Sequence, residues 1–248
     1  MKDKIIEIIK SKLVENKDEE YRLFHSNLVP NVDKEKFIGV RVPLLRKVAK
    51  EIIREFSKGE IEIFLSDTPH DYYEENQLHS FIIDYLEEDF NKTLERTEAF
   101  LPYIDNWAVC DSFKPRALKK DLKSLYEILK KWEMSKEPYK VRLAIVLQIS
   151  WYLDKEFQEN MLEEISQVSN KWKSDIIEKE SSLYYVQMAI AWYFSMALVK
   201  QYDKTIEYFK VKKLPIWVHN KALQKAIESR QIEPAEKEEF KKLKIVNM

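Results

Sequence analysis

Six consecutive residues carry most of this chain's chemical potential: Asn106-Trp107-Ala108-Val109-Cys110-Asp111. On a helix, the four-residue spacing of Trp107 and Asp111 stacks an indole and a carboxylate on one face, where both address the same object. A carboxylate beside an aromatic ring stabilises a cation developing between them. Cys110 adjoins the acid, but no histidine lies near it in sequence and neighbouring helix positions point in different directions, so a nucleophilic thiol is not expected. The four histidines, His25, His70, His79 and His219, form no H-E-x-x-H or cysteine–histidine pattern; Glu75 and His79 are a lone i,i+4 pair. Neither a metal nor a cofactor is expected, because Walker and dinucleotide fingerprints are missing too.

The elements that must carry these residues are helices. Of the 248 residues, 45% are hydrophobic and 34% charged, enough for a sizeable core under a heavily charged surface, and the two glycines, Gly39 and Gly59, leave little for hairpin turns. The expected fold class is all-α. Apolar periodicity predicts helices over 2–15, 18–26, 43–56, 71–88, 91–102, 106–118, 121–133, 138–152, 155–168, 175–199, 202–210, 214–229 and 234–242, with Pro43, Pro138 and Pro215 at helix entries. The apolar run from Tyr184 to Val199 is interrupted by Gln187 and Ser195 and falls short of the roughly 20 residues of a bilayer span, so it reads as a buried helix and no membrane is expected. The N-terminus lacks the apolar core of a signal peptide, and a single cysteine suits a reducing compartment; the expected location is cytoplasmic.

Several helices resemble one another. The segments at 141–145, 186–190 and 219–223 each begin polar and turn apolar, and taking Gln77, Asp111, Arg142, Gln187 and Asn220 as equivalent positions gives intervals of 31 to 45 residues, which fits two-helix repeats of the HEAT type in a single domain over 1–248. A loose helical bundle fits as well. In the repeat reading, each of these polar side chains projects into a shared concave groove. Net charge is −1, yet residues 70–105 hold ten acids and two bases while 200–248 hold twelve bases and seven acids. A locally basic groove is compatible with that asymmetry.

The strings Asn106-Trp107-Ala108-Val109-Cys110-Asp111, Arg142-Leu143-Ala144-Ile145-Val146-Leu147-Gln148 and Gln187-Met188-Ala189-Ile190-Ala191-Trp192, with Gly39-Val40-Arg41-Val42-Pro43-Leu44-Leu45-Arg46 ahead of them, resemble the bacterial DNA alkylation-repair proteins of the AlkD type. The resemblance spans roughly residues 20–230. It implies a HEAT-like solenoid whose concave groove holds duplex DNA, and hydrolysis of the N-glycosidic bond of cationic N3- or N7-alkylated purines without drawing the base into a pocket. It assigns Asp111 as the catalytic carboxylate, Trp107 and Trp192 as substrate-binding aromatics flanking the lesion's deoxyribose, and Arg142 as an arginine on the DNA backbone. Lys114, Arg116, Gln187 and Lys221 are further DNA-backbone candidates. A monomer is expected. One departure stands beside Trp107, where the family's glycosylases carry a second aromatic and this chain has Ala108. Structural readings stay open: Asp111 paired with Arg142 or Arg116, and the tryptophans as core. Two other function classes also stay open, a non-catalytic DNA-binding module and a protein–protein scaffold.

Overall fold

The computed structural model describes residues 2–86, 88–174 and 177–245, and among them every regular element is helical. The chain packs as two compact units, Met1–Leu125 and Tyr126–Met248.

In the first unit the helices are α1 (Lys2–Val14), α2 (Glu19–Leu28), α3 (Val42–Glu55), α4 (Lys58–Leu65), α5 (Tyr73–Tyr85), α6 (Phe90–Phe100) and α7 (Trp107–Ser112). α3 shows how pattern becomes packing. Pro43 opens it where a missing N–H is harmless, and its stripe of Leu45, Val48, Ala49 and Ile52 at helical spacing is fully buried. Against that stripe sit Ile9 and Leu13 of α1, Phe64 of α4 and Leu78, Phe81 and Ile82 of α5. α4 has no counterpart among the expected helices. It is only eight residues long with Gly59 in its first turn, and a capping box between Ser57 and Glu60 starts it.

The expected helix over 106–118 is shorter in the structure. α7 stops at Ser112, because Pro115 disfavours helical backbone at the residue before it, and a 3-10 turn over Arg116–Asp121 follows.

The remaining helices are α8 (Leu122–Glu133), α9 (Pro138–Trp151), α10 (Asn160–Lys171), α11 (Ser182–Lys200), α12 (Tyr202–Lys210), α13 (Ile216–Glu228) and α14 (Pro234–Leu243). The start expected near 155 falls at Asn160 instead. The helix expected over 175–199 begins at Ser182, capped by Ser181; residues 175 and 176 lie outside the described ones. α11 is long and apolar enough to cross a membrane by length and composition, but 61% of that window is buried. Val186, Ala189, Ile190, Tyr193, Phe194 and Ala197 along it meet α9, α10, α12 and α13 and make it the centre of the second unit.

Candidate active site

α7 is less than two turns long and has no stability of its own, so its orientation comes from what holds it. Val109 and Cys110 are buried, and Phe113 just beyond them is too, whereas Trp107, Ala108, Asp111 and Ser112 are partly exposed. The indole and the carboxylate therefore share the partly exposed face, as their spacing requires. Asn106 caps the helix, its side-chain oxygen accepting from the Val109 N–H at 3.0 Å. The Trp107 indole N–H donates to the Leu28 carbonyl at 3.0 Å, satisfying one of the carbonyls left over at the end of α2. At the other end, the Gln77 amide N–H donates to Ser112 Oγ at 2.6 Å.

The segment Gly39-Val40-Arg41-Val42-Pro43 also has a local cause. Gly39 has φ +95°, and a Cβ there would stand 2.5 Å from the Asp18 carbonyl oxygen and 2.7 Å from Arg22 Cβ, so only glycine lets this loop lie against α2. The buried Glu74 carboxylate of α5 accepts from the backbone N–H groups of Ile38, Gly39 and Val40 at 2.9, 2.7 and 3.2 Å. Asp18 caps α2 through the Tyr21 N–H and pairs with Arg41. Neither Glu74 nor Tyr73 stands out in the sequence, because Glu74 and Glu75 read as ordinary first-turn acids. Nearby, His70 and His79 share a 2.9 Å hydrogen bond inside the unit, and burial holds both imidazoles below their usual range, His70 at about 4.

The remaining first-unit candidates lie just after α7. Lys114 is partly exposed, and Arg116 is exposed with its Nε donating to Asp84 at 3.0 Å and its guanidinium over the Tyr85 ring. The pairing considered between Asp111 and Arg116 is thus not the one Arg116 Nε makes.

In the second unit, Arg142 is buried and its Nη1 donates to the Tyr185 carbonyl at 2.5 Å. Trp192 is partly buried, leaning on the core of its own unit. Gln187 requires a correction. It has no exposed surface, and its amide N–H is committed to the Trp172 carbonyl, so it does not reach out to a phosphate. Beside it lies a cavity of about 1020 Å³ lined by Lys173, Trp217, Asn220, Lys221 and Lys244, with no acid among the described lining residues. Lys221, also a backbone candidate, is therefore in a basic concavity, while Asn220 is tied to Ile245 through both its amide N–H and its oxygen.

The register residues share a design that differs from the expected one. Rather than projecting outward, Gln77, Arg142, Gln187 and Asn220 each hold an adjacent element of their own unit: Ser112, Tyr185, Trp172 and Ile245 respectively. Asp111 alone of the five sits on a short helix with Trp107. Among the described residues no three His, Cys, Asp or Glu side chains are placed to hold a metal.

A family model described as DNA alkylation repair enzyme matches residues 9–226. The chain belongs to this family. It is a DNA alkylation repair enzyme by family, and DNA is the substrate that membership implies. A comparison with curated proteins finds no match. The matched span takes in α7, the Gly39 loop and the second-unit helices that carry Arg142, Trp192 and Lys221.

Proposed function

We propose that this DNA alkylation repair enzyme is a monofunctional glycosylase that hydrolyses the N-glycosidic bond of N3- or N7-alkylated purines in duplex DNA and leaves an abasic site. The observation that carries the reading is the pair of Trp107 and Asp111 on the partly exposed face of α7, one helical turn apart.

The chemistry asks for little more than such a pair. Alkylation at N3 or N7 places positive charge on the purine, so the base departs with the bonding electrons as a neutral molecule and needs no general acid. The demand is at C1′, which gains oxocarbenium character as the bond lengthens. Asp111 supplies the opposing charge and orients a water whose oxygen bonds to C1′ while its proton passes to solvent. The Trp107 face adds attraction for the cationic sugar, worth roughly 0.5–2 kcal/mol. By family resemblance Trp192 is a second aromatic assigned to the substrate, whereas Arg142, buried and donating to the Tyr185 carbonyl, serves the packing of its own unit. Lys114, Arg116 and Lys221, with Lys173 and Lys244 beside the last, supply cations for phosphates, which makes binding fall steeply with salt. We place the enzyme in the cytoplasm as a monomer that acts without metal or cofactor.

The test is release of N7-methylguanine from a duplex oligonucleotide at low salt with excess enzyme. Asp111→Asn is expected to lower the release rate by about 100-fold or more while DNA binding persists. Binding without release by the unaltered protein would replace this reading with a non-catalytic DNA-binding one.

A further inference from the structure

α2, α5 and α7 are joined by a chain of side-chain hydrogen bonds whose direction is fully determined. Carbonyl oxygens only accept, which settles the far end: the Ser112 hydroxyl donates to the Ala108 carbonyl at 2.7 Å, leaving its oxygen to accept from Gln77 Nε2 at 2.6 Å. The Gln77 amide oxygen then accepts from the Tyr73 hydroxyl at 3.2 Å, which uses Tyr73's only proton. Tyr73 must therefore accept from His25 Nε2 at 3.0 Å, so His25 carries its proton on Nε2. Its Nδ1 is left to accept from the Tyr21 hydroxyl at 3.4 Å. Burial keeps the His25 imidazole below its usual range and hence neutral, in agreement with that single tautomer. Ring contacts hold the same residues in place, Tyr21 stacking on His25, and Phe37 stacking on Tyr73 and meeting His25 edge-on.

The chain closes on itself. Tyr21 and His25 lie on α2, and Leu28 at the end of that helix accepts the Trp107 indole N–H directly. α2 thus grips α7 at its first residue through Trp107 and at its last through Tyr73, Gln77 and Ser112. Because every donor in the sequence points the same way, each bond polarises the next. A six-residue helix gripped at both ends has one orientation.

We propose that Tyr73, Gln77 and Ser112 are positioning residues that fix α7, and with it the Trp107 indole and the Asp111 carboxylate, in one orientation against α2 and α5. This rests on the glycosylase reading for its kinetic consequence, but not for its structural one. The relay touches no substrate. It acts by removing alternatives for α7, so its loss affects the chemical step and leaves the DNA grip of the lysines and arginines elsewhere in place.

The experiment uses the full chain labelled with ¹⁵N at tryptophan, with the Trp107 indole signal identified by its loss in Trp107→Phe. Variants are Tyr73→Phe, which removes only the hydroxyl, Ser112→Ala, which removes the last link at a partly exposed position, and Ser112→Thr, which keeps a hydroxyl able to bond the Ala108 carbonyl. Helix content and melting are measured alongside. Tyr73→Phe and Ser112→Ala are expected to speed exchange of the Trp107 indole proton with water. Single-turnover release of N7-methylguanine is expected to slow by about 10-fold at saturating enzyme, with the half-saturating concentration unchanged within about two-fold. Ser112→Thr is expected to restore both. Unchanged indole exchange in folded Ser112→Ala overturns the proposal, as does Ser112→Thr behaving like Ser112→Ala. Should the unaltered protein release no base, the glycosylase reading falls on that result alone, and indole exchange by itself still decides the positioning role.

Discussion

The central helices of the two units are built from opposite materials. α5 of the first unit buries Glu74, Glu75, Gln77, His79, Ser80 and Asp84 among its apolar residues, whereas α11 of the second buries Val186, Ala189, Ile190, Phe194, Ala197 and Leu198 with only Gln187 and Ser195 as polar interruptions. Buried polar groups are costly unless each finds a partner at the right distance and angle, so α5 is compatible with a narrow set of arrangements of its neighbours. Apolar packing is favourable over a wider range of geometries and scales with area. α5 thereby gives up some ease of packing for a defined geometry around α7, whereas α11 adds apolar area to the core of its unit. The contrast teaches where to look for function in a helical protein of this kind: beside the helix whose buried face is polar.

The largest effect that follows from the contrast belongs to the second unit. Phe194 is fully buried on α11 and touches the rings of Tyr193, Tyr208 and Phe209. Phe194→Ala is expected to cost about 3–5 kcal/mol, read from denaturant unfolding, while release of base per folded molecule stays unchanged. A loss under about 1 kcal/mol would mean that apolar packing is not what holds this unit.

A buried acid of the second unit sharpens the comparison. Glu133, at the end of α8, is buried, accepts from the Gln148 amide, and has its carboxyl pushed from 4.5 up to about 8 by burial, with the Glu164 charge adding to the shift and the Gln148 bond opposing it. The folded state thus holds a proton that the unfolded chain gives up near pH 4.5. Stability from this group is fully present below that pH and is lost as pH rises through 8, at a slope of up to about 1.4 kcal/mol per pH unit. Unfolding measured at pH 5, 6.5 and 8 should show that decline, and Glu133→Gln should flatten it. An identical slope in the variant would assign the decline to other groups.

Much of this architecture is legible in the residues themselves. Apolar stripes such as Leu45, Val48, Ala49 and Ile52, and prolines at positions 43 and 138, mark helices because burial and ring geometry act locally. The shared face of Trp107 and Asp111 follows from helical spacing alone. Two further boundaries have local signals as well: Ser57 three residues before Glu60 marks the start of α4, and Pro115 marks the end of α7. The direction of the register residues is a different matter. A polar residue at the head of an apolar segment looks the same whether it faces a groove or clamps the next element's carbonyl, and for Gln187 only the tertiary fold decides between the Trp172 carbonyl and a phosphate. Glu74 is illegible for the same reason, since its three N–H partners lie about 35 residues away in the chain.

The smallest effect is the most discriminating, because it applies one substitution to both units. Gln77 in α5 and Gln201 at the start of α12 each use a side-chain amide to tie two elements, Gln77 to Ser112 at 2.6 Å and Gln201 to the Leu153 carbonyl at 3.0 Å. Gln→Met at either position keeps the length of the side chain and removes the bond, leaving a former partner unsatisfied, so each is expected to cost about 1–2 kcal/mol in denaturant unfolding. Their effects on base release should separate. Gln77→Met interrupts the relay that sets α7 and should slow release at saturation, whereas Gln201→Met loosens a helix joint of the second unit and should not. Equal slowing in both would mean that release tracks stability in general, and the contrast between a polar α5 and an apolar α11 would then have no functional content.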